Sequence, residues 1–154
     1  PEAQLDRFML MIKLDYPDYQ TEVEVIKNTT RNTHIAVKNV ISKDEILTFQ
    51  NLVRSVPVVD NVYEYAVSLV HKTRPGRTGS STLANDYLEW GAGPRASQFL
   101  ILGAKCHALM TGKYAPDIED VKAVAESVLR HRIVRNFKAE AAGISETQII
   151  QDLL

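Results

Sequence analysis

Apolar positions along this chain recur mainly every three or four residues, the spacing of helices buried along one face. One stretch departs from that rhythm. Phe8-Met9-Leu10-Met11-Ile12-Lys13-Leu14 is a nearly unbroken apolar run, stopped by Asp15 and Tyr16-Pro17. A run this short reads as a buried strand, preceded by a short helix end or turn over residues 2 to 8. No comparable set of strands follows it. Its partners in a sheet are therefore expected ahead of Pro1, and the chain is expected to be a fragment or a processed product.

The remainder predicts helices with recognisable ends. Asp18 caps a helix carrying Val23, Val25 and Ile26. Ser42-Lys43-Asp44-Glu45 is a capping box, in which hydroxyl and carboxylate each accept a free backbone N–H of the first turn. It opens a helix with Ile46, Leu47, Phe49, Leu52 and Val53. Asp60 starts another with Val62, Tyr63, Ala66, Val67 and Val70. Arg74-Pro75-Gly76-Arg77-Thr78-Gly79-Ser80-Ser81 is a polar breaker stretch and predicts a loop. Pro94 fits the first position of the next helix, where its fixed φ suits and its missing N–H costs nothing. Phe99, Leu102, Cys106, Leu109 and Met110 are its expected core stripe, and Thr111-Gly112 its end. Asp117 caps a helix with Ile118, Val121, Ala125, Val128 and Leu129. Ile133-Val134 reads as a short strand or extended segment. Ser145-Glu146-Thr147-Gln148 forms a second capping box before Ile149, Ile150 and Leu153. The fold class is mainly α: a small helical bundle of about five to seven helices with one N-terminal strand.

Composition narrows the function classes. The 154 residues suit one domain or a small domain with an appendage. A formal net charge of -1 gives no global field toward nucleic acid or acidic membranes. Cys106, the only cysteine, excludes an internal disulfide and a multi-cysteine metal cluster. It reads as a small core residue in a reducing compartment. No apolar run approaches the ~20 residues that span a bilayer, and the opening residues do not resemble a signal peptide.

No complete active site is visible. The sequence lacks G-x-x-x-x-G-K-[ST], the loop that cradles a triphosphate, and any apolar strand ending in an acidic pair for magnesium. His34, His71, His107 and His131 lack the spacing of a metal site or triad. Two arginines are of interest. Arg95 follows Pro94 in a first helical turn, where free N–H groups already make the end positive. A cation there makes sense if an anion docks against it. Otherwise it is a solvated arginine paired with Glu89 or Asp86. Arg7 precedes the apolar run and pairs either with Asp6 or Glu2, or reaches outward to a phosphate. The cluster Arg130, His131, Arg132, Arg135 and Lys138 near a helix end reads as a solvated face complementing the dipole. Tyr63, Tyr65, Tyr87 and Trp90 do not interleave with it, which weakens a nucleic-acid reading. Trp90 is expected to anchor the loop Gly91-Ala92-Gly93.

Three segments in order carry a family resemblance. Pro1-Glu2-Ala3-Gln4-Leu5-Asp6-Arg7-Phe8 resembles the segment ending the nucleotide-binding core of MoxR-type AAA+ ATPases. Gly91-Ala92-Gly93-Pro94-Arg95-Ala96-Ser97 resembles their sensor-2 motif, with Gly93 where the family commonly has Ser. Asp117 to Val121 followed by Val128-Leu129-Arg130-His131-Arg132 resembles their closing helix. The resemblance implies that residues 1–16 are the end of the core and residues 17–154 a helical lid. It implies that Arg7 is an arginine finger acting in trans, and that Arg95, preceded by Pro94, is the sensor-2 contact to ATP phosphates. It further implies ATP and Mg2+ as cofactors of a longer protein, a homo-oligomeric ring (a hexamer) and a cytoplasmic setting. The output would be chaperone-like remodelling or assembly of unidentified partner proteins. The chain alone, without Walker A and Walker B segments, is expected to be inactive. The competing readings are a non-enzymatic helical interaction module and, less favoured, a nucleic-acid-binding domain.

Overall fold

The computed structural model describes residues 2–32 and 37–154. His34 and Pro1 lie outside the described residues. In chain order the elements are α1 (Glu2–Leu5), α2 (Tyr19–Thr29), α3 (Lys43–Ser55), α4 (Asp60–Lys72), α5 (Thr82–Tyr87) and β1 (Leu88–Trp90). They continue with α6 (Pro94–Met110), α7 (Ile118–Leu129), β2 (Val134–Arg135), α8 (Phe137–Ala141) and α9 (Glu146–Leu153). The mainly helical expectation holds. The surplus over five to seven helices consists of the short pieces α1, α5 and α8.

Most helix starts were legible because their caps are local. Asp18 accepts from the Thr21 N–H at 2.8 Å. Ser42 and Glu45 complete their reciprocal box, with Ser42 N–H donating to Glu45 Oε2 at 2.7 Å and Glu45 N–H to Ser42 Oγ at 3.2 Å. At Ser145 only the forward half forms, from the Gln148 N–H at 3.2 Å. The box absent from the sequence reading is Asp117–Asp120, at the start of α7.

The core lies where α4, α6, α7 and α9 meet. Val62, Leu69 and Val70 of α4, Leu100 of α6, Val121, Val128 and Leu129 of α7, and Ile149 and Ile150 of α9 are fully buried. The stripe predicted for α6 is rotated. Ala96, Leu100, Gly103, Ala104 and Ala108 face the core, while Cys106 and Met110 are exposed and Phe99, Leu102 and Leu109 are half-buried. Small residues let α6 approach α7 closely. A Cβ at Gly103 would stand 3.1 Å from Val124 Cγ2. Large side chains on that face would force the helices apart, so they occupy its flanks.

Two further expectations are corrected. Residues 8–14 are not a buried strand: Phe8 and Met9 form a bend, residues 10–14 join no ladder, and Ile12 and Leu14 are largely exposed. Their backbone is tied to the bundle at Met11, whose N–H donates to Ser127 O at 2.8 Å. Apolar composition alone cannot make a strand, because a ladder needs a second edge. Likewise α2 and α3 form as helices, yet neither buries a residue. The pairing partner of the 133–135 segment is β1, antiparallel, with Leu88 opposite Arg135 and Trp90 opposite Val134.

Asp120 shows how tightly the α6–α7 connection is held. Its side chain is fully buried, and it accepts from His107 Nδ1 at 2.6 Å, Lys113 Nζ at 3.1 Å and the Asp117 N–H at 2.9 Å. Burial alone would raise its pKa. The bonds from Asp117, His107 and Lys113 outweigh that and hold it at about 2, below the ordinary 3.8. A depressed carboxylate contributes stability above its ordinary pKa and loses it as pH falls through the folded value. We therefore expect Asp120→Ala to lower unfolding free energy by about 2 kcal/mol at neutral pH. In urea titrations the gap between wild type and variant should close between about pH 4 and pH 2. A pH-independent gap would contradict this account.

Candidate functional site

The turn after α7 folds back because the Arg132 and Ile133 N–H groups both donate to Leu129 O, at 2.8 and 3.2 Å. It delivers the Arg132 side chain beneath residues 6–9. That side chain is 1% exposed, although the sequence placed it on a solvated face. Its Nε donates to Asp6 Oδ1 at 3.0 Å and its Nη2 to the Asp6 carbonyl at 2.9 Å. Nη1 reaches the Met9 carbonyl at 3.2 Å, and the Phe8 and Val128 carbonyls also accept from this guanidinium. The plane lies 5.0 Å from the Phe99 ring centroid. Burial pushes the Arg132 pKa down, opposed by the Asp6 carboxylate. The arginine stays charged at any ordinary pH.

Asp6 has a second oxygen, and the structure gives it to Arg95. Arg95 Nη1 donates to Asp6 Oδ2 at 2.8 Å. Neither Glu89 nor Asp86 is its partner, contrary to the sequence alternatives; Asp86 pairs with Lys138 at 2.8 Å. Arg95 stands in the first turn of α6 with Pro94 at its start, and its side chain is 46% exposed. Beside this pair opens a cleft of about 380 Å³, lined among others by Asp6, Trp90, Gly93, His131 and Arg132. His131 Nε2 lies 3.0 Å from the Phe8 carbonyl. Burial pushes its pKa below the ordinary value, against the bond to Phe8, and Nδ1 is buried without a partner among the described residues. Arg7 is exposed; of its two expected local partners, Asp6 gives its oxygens to Arg132 and Arg95 instead, and the side chain of Glu2 lies outside the described part of the structure.

The path into α6 is fixed from the side by the turn after α4. The Ala92 N–H donates to Thr73 Oγ1 at 3.0 Å, and Arg74 Nε donates to the Ala92 carbonyl at 2.8 Å. Gly91 passes so close that a Cβ there would fall 2.2 Å from Thr73 O. These contacts anchor the loop. Trp90, expected to do so, is 62% exposed and faces the cleft. Gly93, the N-cap of α6, has ordinary negative φ and open space where a Cβ would stand.

The structure thus brings Arg95 and Arg132 together on Asp6. Sequence reasoning missed Asp6, Arg74 and the burial of Arg132. The available signal was slight: Arg132 stands directly before the apolar pair Ile133-Val134. The rest of the basic cluster is also engaged internally. Arg130 pairs with Glu126 and with Thr147 Oγ1 at 3.0 Å, and Arg135 with Glu146 at 2.7 Å. With these partners the cluster offers little free charge to a polyanion. Chemically, one carboxylate between two guanidiniums leaves a surplus positive charge beside an open cleft, an arrangement that favours an anion. Among the described residues no group of three His, Cys, Asp or Glu side chains is placed to hold a metal ion. No described helix is long and apolar enough to cross a membrane.

Residues 80–153 match the AAA lid domain family. Over its whole length the chain is 34% identical to Chaperone MoxR1 of Mycobacterium tuberculosis, covering 41% of that protein. It is 28% identical to the uncharacterized protein YeaC of Bacillus subtilis, covering 46% of it. A solved structure from Cytophaga hutchinsonii, provisionally assigned as an ATPase, superposes with a TM-score of 0.86 at 37% identity over 99% of this chain and 47% of that one. The chain spans less than half the length of these relatives.

The two glycines of the loop should respond oppositely to substitution. Gly91→Ala forces backbone apart at Thr73 and should cost about 1–3 kcal/mol. Gly93→Ser has room, can cap α6, and should be neutral or stabilising by a few tenths of a kcal/mol, roughly the Ser-over-Gly capping preference. Paired thermal melts check both; equal losses would refute the geometry.

Proposed function

Since the chain belongs to the MoxR-type AAA+ ATPases and carries their lid domain, we propose that it couples the nucleotide state of a longer ATPase to lid movement. The output is chaperone-like remodelling or assembly of partner proteins by a homo-oligomeric, hexameric ring in the cytoplasm. In this reading residues 1–16 end the ATPase core and residues 17–154 form the lid.

The observation that carries the proposal is the half-exposed Arg95 in the first turn of α6, held by a single carboxylate beside an open cleft. These residues suit a phosphate group. The α6 N-cap has no side chain on its free N–H groups, and the helix end and the guanidinium act on an anion in the same direction. ATP, when bound, supplies the phosphoryl group to be transferred. Mg2+ would accompany ATP in the longer ATPase, and no residue of this chain is proposed to hold it. Arg95 acts as the sensor-2 arginine: it binds phosphate better in the closed lid than in the open one, and that difference shifts the equilibrium. Arg7, exposed and next to the anchored Asp6, is suited to reach ATP on the adjacent subunit as the arginine finger.

In the full-length ATPase, Arg95→Ala should weaken ATP binding or turnover by about tenfold, the worth of one charge-assisted hydrogen bond. Unchanged steady-state kinetics would defeat the assignment. Arg7→Ala should spare ATP binding but lower turnover by roughly a thousandfold. Mixing Arg7→Ala subunits with subunits lacking the phosphate-loop lysine should restore part of the activity. Mixtures as inactive as either parent would argue against action across the subunit boundary.

A further inference from the structure

Asp6 enters the proposal above only as the counter-ion of Arg95, yet its carboxylate bonds both Arg95 and Arg132. Its two oxygens serve different ends. Oδ1 takes Nε of Arg132, a guanidinium that is 1% exposed and further satisfied by carbonyls of Asp6, Phe8, Met9 and Val128. Oδ2 takes Nη1 of Arg95, which is 46% exposed and has no other side-chain bond among the described residues. The first contact is built into the bundle. The second is an ion pair at the surface, screened by water and cheap to break.

Charge compensation points the same way. The single negative charge of Asp6 is already matched by Arg132, which cannot leave without stranding a buried cation. Arg95 is therefore the surplus cation. It can be given up to an incoming anion while the Asp6–Arg132 pair stays neutral and seated. Asp6 also immediately precedes Arg7, so whatever fixes Asp6 fixes the backbone from which Arg7 projects.

We propose that Asp6 is a positioning residue. Through Oδ2 it holds Arg95 in the absence of nucleotide and competes with phosphate for it. Through Oδ1 and Arg132 it fixes the backbone that aims Arg7. This inference rests on the nucleotide reading of Arg95 and adds the partner that nucleotide displaces. Binding of ATP exchanges one anion for another at Arg95, and the exchange begins at the residue adjoining the finger. Lid closure and finger placement thereby share a mechanical origin.

The test uses the full-length ATPase and its steady-state kinetics. Asp6→Asn keeps the shape and removes the charge. It should lower the KM for ATP about threefold, because the competitor for Arg95 is weakened by the worth of a surface ion pair. It should lower kcat at least as much, because the anchor behind Arg7 is loosened. A merely structural role would raise KM and lower kcat together. In an Arg95→Ala background, Asp6→Asn should leave KM unchanged, since no guanidinium remains to be competed for. A KM that is unchanged or raised in the single variant, or lowered equally in both backgrounds, overturns the inference. If Arg95→Ala alone leaves ATP kinetics untouched, the nucleotide reading itself has failed, which is a different outcome. Should Asp6→Asn not fold, a wild-type structure with a non-hydrolysable ATP analogue decides. Arg95 should have left Asp6 while Arg132 remains on it; an intact Arg95–Asp6 pair beside bound nucleotide overturns the proposal.

Discussion

The buried guanidinium of Arg132 is the constraint on which the site depends. A cation removed from water needs both a counter-charge and a full set of acceptors. Here one carboxylate oxygen and four backbone carbonyls supply them. Three of those carbonyls belong to residues 6–9, so this demand draws the N-terminal segment onto the end of α7. Apolar packing adds little to this hold, since Phe8 and Leu10 are exposed and Met9 only half-buried; the Met11 N–H bond to Ser127 O extends it by one more tie.

From that attachment the rest of the cleft follows. Asp6 is brought within reach of the α6 N-terminus, and Arg95 meets its free oxygen. The other wall depends on an equally tight contact, Gly91 against Thr73, with Arg74 holding the Ala92 carbonyl. The α6 N-terminus is therefore approached by two other segments, one held by Arg132 donating to the carbonyls of residues 6, 8 and 9, the other by Arg74 donating to the Ala92 carbonyl. Such donors combine charge with a planar fork, and they grip main chain without regard to which side chains it carries.

The helical frame behind the cleft is stiff for another reason. Small residues on the inner face of α6 bring it against α7, and the Asp117–Asp120 box with Lys113 and His107 locks the connection between them. By contrast α2 and α3 present apolar side chains with nothing buried on either helix. The proposed anion site thus sits where the bundle is closely packed, and the one part of it free to change partner is the half-exposed side chain of Arg95.

Helix starts, the breaker loop before α5 and the mainly helical class were legible in the sequence, because caps, prolines and apolar periodicity act within a few residues. Arg95 in a first turn was legible for the same reason: Pro94 announces the helix start. The face of α6 that turns inward was not, because closeness of packing favours Ala and Gly over the larger apolar residues that periodicity selects. Nor was Asp6, whose partners are 89 and 126 residues away, or the burial of Arg132, which reads on paper like any other basic residue near a helix end. Local hydrogen bonding is written in neighbouring residues, whereas the satisfaction of a buried charge depends on whatever distant backbone the fold brings to it, and only the tertiary structure decides that.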